Sequence, residues 1–196
     1  MKTDIILSGV GGQGILSIAA VIGSAAIHNN LYLKQAEVHG MSQRGGAVQS
    51  NLRISDKPVA SDLIALGSAD LILSLEPMEA LRYLPYLSKK GWLVTNATPF
   101  INIPNYPDLD QVLAEVRKLP NHVILDVDAE AKKIGSSRVA NMVLLGAATP
   151  FIHIPYEAFE AGISEIFARK GEDIININIK ALRVGKTIAE EKLSVK

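Results

Sequence analysis

Three glycines near the amino terminus have the spacing of a phosphate-binding turn. Gly9, Gly11 and Gly14 fit the pattern G-x-G-x-x-G and lie between the apolar run 5–7 and a longer apolar run that begins at Ile15. In such a strand–turn–helix junction the glycines permit a tight turn and close packing, and the free N–H groups of the helix can bind an anion. A turn that needs glycines only for its backbone geometry is the alternative. The predicted cofactor contacts are the residues of this turn: Gly9, Gly11, Gly12, Gln13 and Gly14.

A second unusual stretch, Glu-Val-His-Gly-Met-Ser-Gln-Arg-Gly-Gly, covers residues 37–46 between two predicted strands. Glu37 follows the glycines at about the spacing at which dinucleotide-binding proteins place an acid for the ribose hydroxyls. His39 has the chemistry of a general base near neutral pH, or it hydrogen-bonds to the backbone. Arg44 suits a phosphate or carboxylate, or a salt bridge with Glu37. We therefore predict that Glu37, Arg44 and Gly45 bind a cofactor, with His39 as a possible catalytic residue.

The remaining candidates for chemistry are weaker. His28, His122 and His153 do not have metal-ligand spacing, so no metal site is predicted. Asp126 and Asp128 follow a predicted strand with alternating directions, which argues against a paired-carboxylate site. For these two residues helix capping and solvation are the expected roles.

Composition favours an ordinary globular protein with one domain over residues 1–196. The chain is 48% hydrophobic, and its 20 basic residues balance 20 acidic residues, so no nucleic-acid or membrane partner is indicated. Cysteine is absent, which excludes disulfides and cysteine-ligated clusters within this chain. The apolar run 15–27 is too short to cross a bilayer, and no signal peptide is evident, so we expect a cytoplasmic protein.

The order of hydrophobic segments predicts an α/β, Rossmann-like three-layer α/β/α fold, with a mostly parallel, partly mixed sheet and a helical C-terminal region. The predicted strands are 4–8, 31–36, 47–54, 69–75, 92–96 and 123–127. The predicted helices are 13–29, 78–87, 109–119, 129–134, 138–148, 156–169 and 174–191. Residues 59–64 are expected to return antiparallel as a hairpin arm, and 98–108 to form a loop. The first helix is almost wholly apolar, so it needs cover from the sheet and from further helices or a partner subunit.

The two glycine-containing motifs together resemble one protein family. Residues 9–14 and 37–46 are similar to the gamma-type subunit or domain of the 2-oxoacid:ferredoxin oxidoreductases, and the similarity in length and motif order covers essentially the whole chain. The His-Gly-Met-Ser-Gln version of the second motif resembles the enzymes for indolepyruvate and other arylpyruvates. The resemblance implies a subunit of an enzyme that oxidatively decarboxylates an arylpyruvate to acyl-CoA, with electrons passed to ferredoxin.

The same resemblance implies thiamine diphosphate, Mg²⁺ and [4Fe-4S] clusters in the complex, with coenzyme A as a substrate. This chain has no cysteine for a cluster and no evident thiamine-diphosphate motif, so a larger partner subunit is expected to carry these groups. The isolated chain is then expected to be inactive, and its glycine turn to help enclose coenzyme A. Two alternatives stay open: a free-standing NAD(P)-binding Rossmann oxidoreductase that uses Glu37, and a non-enzymatic nucleotide-binding assembly module.

Overall fold

In the computed structural model, which describes residues 1–39, 45–101 and 103–194, six strands form one sheet between helices. The strands are β1 (Lys2–Val10), β2 (Tyr32–His39), β3 (Ala47–Ser55), β4 (Ala69–Ser74), β5 (Leu87–Asn96) and β6 (His122–Leu125). The helices are α1 (Ile15–His28), α2 (Pro77–Arg82), α3 (Leu109–Arg117), α4 (Val127–Ile134), α5 (Ala140–Ala148), α6 (Tyr156–Phe167) and α7 (Glu172–Ser194).

The sheet has the strand order β2-β3-β1-β4-β5-β6. β1, β4, β5 and β6 are parallel neighbours, whereas β3 is antiparallel to β1 on one side and to β2 on the other. The parallel strands are joined through helices, and the short connection between β2 and β3 permits only an antiparallel hairpin. The predicted mostly parallel, partly mixed sheet is therefore confirmed.

Successive side chains of a strand point to opposite faces of the sheet, and here both faces carry apolar side chains. Helices therefore cover the sheet on both faces. Ile5 and Leu7 of β1 belong to the main hydrophobic core, which includes residues of α1 and α4–α7. Ile6 faces the other way, into a smaller core with Ala80 of α2 and Val116 of α3. The three layers and the helical C-terminal region agree with the sequence prediction, and α7 is a helix throughout its described length.

The predicted hairpin arm at residues 59–64 is wrong. Those residues form no strand, because both edges of β3 are already paired with β1 and β2. Side chains of β3 hold the segment instead: the Arg53 guanidinium donates a hydrogen bond to Ser61 O at 2.9 Å, and Asn51 Oδ1 accepts one from Ile64 N at 3.2 Å. The segment thus covers the sheet as an irregular loop.

Several element boundaries also differ from the prediction, most of all those of α2 and β5. α2 ends at Arg82, before residue 87, and a short 3₁₀ turn with Pro85 follows. β5 starts at Leu87, earlier than the predicted residue 92. Proline cannot continue the helix ladder, which accounts for the early end. Within the described part of the chain, no helix combines the length and apolar character that crossing a membrane requires.

Candidate functional site

The end of the glycine turn is shaped by Gly14, the residue that precedes α1. Its φ of 89° lies in the left-handed region that favours glycine. A Cβ at this position would lie 2.6 Å from Asn141 Nδ2, which in turn donates a hydrogen bond to Gly14 O at 3.2 Å. No side chain caps the helix, so the first N–H groups of α1 can face a ligand. Gly14 therefore joins the start of α1 to α5.

Gly11 has a different role from the one that its spacing suggests. Its N–H donates a hydrogen bond to Gly46 O at 2.9 Å, and its carbonyl accepts one from Gly45 N at 3.4 Å. These bonds continue the β1–β3 ladder beyond Val10 and Ala47. The Gly11 amide is thus used inside the fold and is not one of the donors that a phosphate would meet.

Gln13 is occupied by the fold through both ends of its side-chain amide. Its Oε1 accepts a hydrogen bond from Val10 N at 2.7 Å, and its Nε2 donates one to Leu75 O at 3.1 Å. A Cβ at Gly9 would lie 2.7 Å from the same Oε1. The absence of a side chain at Gly9 therefore makes room for Gln13, which ties the end of β1 to the end of β4.

The turn opens into a cavity of about 830 Å³ at the carboxyl ends of the parallel strands. Gly12, Gln13 and Gly14 line one side of it. The other walls come from the loop after β5, the start of α4, the turn before α5, and the region around the start of α7. Ligands of open α/β sheets bind at this edge. The further lining residues used below are Asn96, Asp128, Lys132, Arg138, Asn141, Lys170 and Asn178.

Asn96, at the end of β5, organises the floor of the cavity. It is 2% exposed, and its Oδ1 accepts hydrogen bonds from Thr98 N and Val127 N at 3.2 and 3.1 Å. Its Nδ2 donates to Thr98 O at 3.0 Å, Asp128 Oδ2 at 2.9 Å and Leu75 O at 3.4 Å. One buried amide thus connects the ends of β4, β5 and β6.

The side chains around the cavity carry an excess of positive charge. Lys132, Arg138 and Lys170 line it, and none of the three forms a salt bridge with a residue in the described ranges. Lys170 instead lies over the Phe167 ring, with its Nζ 5.2 Å from the ring centroid. Asp128 is the acid in the lining, and its described partner is the neutral Asn96. Cations without counter-ions favour the binding of an anion.

Of the residues predicted from the second motif, Glu37 and Gly45 are fully described, and neither lines this cavity. Glu37 lies on the edge strand β2, opposite Ser50, with β3 between it and β1. Only the backbone of His39 is described, as the last residue of β2, and Arg44 lies outside the described residues. Gly45 meets the glycine turn through its hydrogen bond to Gly11. The structure therefore brings together the glycine turn and Gly45, while Glu37 stands apart.

Several cavity residues escaped the sequence reasoning. Asp126 is the predicted helix cap, with Oδ1 accepting from Ala129 N at 2.9 Å, but Asp128 faces the cavity. Asn96 and Arg138 belong to no motif. Position was the only signal for Asn96 and Asp128, since Asn96 ends one predicted parallel strand and Asp128 follows another. Arg138 had no signal. Among the described residues, no group of three or more His, Asp or Glu side chains could hold a metal ion.

Comparison with known proteins gives a consistent set of relatives. Residues 4–188 match the profile of the family described as pyruvate ferredoxin/flavodoxin oxidoreductase. The chain is 37% identical over 194 residues to the indolepyruvate oxidoreductase subunit IorB of Archaeoglobus fulgidus, covering 94% of each chain. The IorB subunit of Pyrococcus horikoshii is also 37% identical, over 201 residues and 98% of each chain.

Two solved structures are similar in fold. The gamma subunit of the keto/oxoacid ferredoxin oxidoreductase from Geobacter sulfurreducens has a TM-score of 0.70 and 27% identity, over 96% of this chain and 99% of that chain. The 2-oxoglutarate:ferredoxin oxidoreductase of Magnetococcus marinus, whose structure has 2-oxoglutarate, coenzyme A and succinyl-CoA bound, has a TM-score of 0.75 and 21% identity. That match covers 97% of this chain but only 31% of the longer one, so it shows the fold alone.

Proposed function

The chain belongs to the pyruvate ferredoxin/flavodoxin oxidoreductase family, and from this premise we propose that it is the small subunit of an indolepyruvate:ferredoxin oxidoreductase. The complex oxidatively decarboxylates indolepyruvate or another arylpyruvate to the acyl-CoA and passes the electrons to ferredoxin. The IorB subunits support this function because they match over nearly their full length. The chain is thus one part of an oxidoreductase.

The observation that carries the proposal for this chain's own part is the basic cavity beside the glycine turn. Coenzyme A carries a pyrophosphate and a further phosphate, and three cations around the cavity lack counter-ions among the described residues. The uncapped start of α1 adds N–H donors and the positive end of a helix dipole. A volume of about 830 Å³ suits a cofactor-sized ligand. We therefore place coenzyme A here.

The redox chemistry belongs to a partner in this proposal. The chain has no cysteine to ligate an iron–sulfur cluster, and its described residues include no group of three or more His, Asp or Glu side chains that could hold a metal ion. A larger subunit then carries the clusters and thiamine diphosphate with Mg²⁺, and it meets ferredoxin. The cytoplasmic location expected from the sequence belongs to the same proposal.

We propose that the residues of the two glycine-containing motifs serve the ligand site, either directly or by supporting its shape. Gly12, Gln13 and Gly14 line the cavity, and Gly9, Gly11 and Gln13 support the turn that forms it. We propose that Glu37, His39, Arg44 and Gly45 contact either the bound ligand or the partner subunit. A free-standing NAD(P)-binding enzyme is the less favoured alternative, because Glu37 is separated from β1 by β3 and does not line the cavity.

Titration with coenzyme A tests the proposed function. We expect the chain, alone or with its partner, to bind coenzyme A, and Arg138→Gln to weaken the binding by about tenfold because a charged hydrogen bond is lost. Arg117→Gln is the matched control, since Arg117 lies on α3 outside this cavity. Binding of NADH but not of coenzyme A, or unchanged affinity in Arg138→Gln, would contradict the placement.

A further inference from the structure

Asp128 is an acid in a cavity that otherwise favours anions. It lies in the first turn of α4 and lines the same cavity as Lys132, Arg138 and Lys170. It forms no salt bridge with any of these cations, although Lys132 is four positions further along α4. The start of α4 stabilises a carboxylate, but a carboxylate at this place in the cavity also repels phosphates. A ligand that offers it a hydrogen-bond donor offsets that repulsion.

The carboxylate of Asp128 is held in place through one of its two oxygens. Its Oδ2 accepts a hydrogen bond from Asn96 Nδ2 at 2.9 Å, while Oδ1 has no partner among the described residues. Asn96 is itself 2% exposed and fixed by its bonds to Thr98 and Val127. The buried amide therefore orients the carboxylate before any ligand arrives, which lowers the cost of forming one more hydrogen bond.

We propose that Asp128 is a specificity-determining residue that accepts a hydrogen bond from a ribose hydroxyl of the bound nucleotide. This role rests on the proposed coenzyme A site. A carboxylate near the carboxyl end of a strand, in the same cavity as a glycine turn, is the arrangement that binds ribose hydroxyls in dinucleotide-binding folds. Spacing along the chain assigned that role to Glu37, but Asp128 is the acid that the fold places in the cavity.

The cations and Asp128 then recognise different parts of the ligand. The cations hold the phosphates, which any phosphorylated ligand provides, and Asp128 distinguishes ligands that carry a free hydroxyl beside them. For coenzyme A, whose ribose bears a 3′-phosphate, that hydroxyl is the 2′-hydroxyl. Simple phosphates and 2′-deoxy nucleotides then meet an uncompensated carboxylate and bind more weakly.

The test compares adenosine 3′,5′-bisphosphate with its 2′-deoxy analogue by calorimetric titration of the full chain. We expect the parent protein to prefer the ribose form by about tenfold or more, the range for a hydrogen bond to a charged group. Asp128→Asn keeps the size of the side chain and an oxygen for Asn96, but it presents an amide to the ligand. That variant should lose the preference and bind the deoxy analogue at least as well as the parent does.

Asp126→Asn is the matched control, because it removes the same charge two positions away from a side chain that caps α4 and does not line this cavity. It should keep the ribose preference, and asparagine should keep the cap. A parent protein that binds coenzyme A without distinguishing the two analogues overturns the role of Asp128 alone, as does a preference that survives in Asp128→Asn. If neither coenzyme A nor the analogues bind to the parent protein, alone or with its partner, the proposed site itself is overturned.

Discussion

At the scale of single residues, the side chain of Gln13 stabilises the glycine turn through hydrogen bonds to the backbone. Its amide accepts from Val10 N and donates to Leu75 O, so both hydrogen-bonding groups are used inside the fold. We expect Gln13→Glu to lower the free energy of unfolding by about 1–3 kcal/mol, because a carboxylate cannot donate to the Leu75 carbonyl. Chemical denaturation measures this. Gln111→Glu on the exposed first turn of α3 is the control and should change stability by less than about 0.5 kcal/mol.

Tyr106 anchors the loop after β5 through a hydrogen bond to Glu76. Its hydroxyl donates to Oε1 of Glu76 at 2.5 Å, and that carboxylate is buried at the start of α2. Burial, followed by the bond to Glu76, raises the pKa of Tyr106 well above its ordinary value. This hydrogen bond therefore holds the loop only while the phenol keeps its proton.

The raised pKa of Tyr106 predicts a loss of stability in alkali. The contribution is complete below the ordinary tyrosine pKa of about 10, and it falls as the pH rises above that value, because the unfolded chain then releases a proton that the folded chain retains. Unfolding at pH 8 and near pH 11 should show this, and Tyr106→Phe should be less sensitive to alkali. At pH 8 the variant should lose about 1–2 kcal/mol, since an oxygen of Glu76 loses its donor.

Tyr156→Phe provides the comparison. The pKa of Tyr156 is also raised, chiefly by burial and then by the nearby Glu160 carboxylate, while Arg183 opposes the shift. Its buried hydroxyl lies near these two side chains but makes no hydrogen bond of good geometry with a described residue. Its removal should cost little at pH 8 while it reduces the alkaline loss. If the two variants lose equal free energy of unfolding at pH 8, the Tyr106–Glu76 hydrogen bond does not stabilise the fold as proposed.

At the scale of elements, α5 and α7 pack closely against each other through two glycines. A Cβ on Gly185 would lie 1.9 Å from Val143 O, and one on Gly146 would lie 2.0 Å from Leu182 O. The two helices approach so closely that a methyl group cannot enter without moving a backbone. The glycines thus set the position of α7, whose first turns border the cavity.

Gly185→Ala should therefore destabilise the protein by about 2 kcal/mol or more, because overpacking outweighs the gain in helix propensity. Gly23→Ala in α1 is the matched control: its Cβ would meet only a methyl carbon of Leu33 at 3.2 Å, which can move. That change should be nearly neutral or stabilising by up to about 1 kcal/mol. Thermal unfolding of both variants measures the difference, and equal stabilities would show that the α5–α7 contact adapts to the methyl group.

At the scale of the whole molecule, the chain is expected to depend on a partner for activity. It has no cysteine, and its described residues form no metal-binding group, although relatives are subunits of oxidoreductases. The pure chain with thiamine diphosphate, Mg²⁺, coenzyme A and an artificial electron acceptor should not turn over indolepyruvate. Addition of the cluster-bearing partner should restore turnover. Robust activity of the pure chain would refute this dependence.

The sequence by itself determined the elements and the family. The glycine turn, the strands and most helices could be predicted from short stretches of sequence. Hydrophobic periodicity and turn-forming residues are local properties of the chain. The motifs at 9–14 and 37–46 were sufficient for the resemblance that the comparisons bear out. The second strand and the C-terminal helices were therefore accessible before any coordinates. The antiparallel part of the sheet was expected at residues 59–64, but β3 forms it.

Only the tertiary structure decided which residues meet. Spacing placed Glu37 near the glycine turn, but the insertion of β3 between β1 and β2 moved it to the sheet edge. The same strand order brought Asn96, Asp128 and Arg138 to the cavity, far along the chain from the turn. Strand order depends on contacts between distant segments, which local patterns do not encode, and so the cavity could not be assembled from the sequence alone.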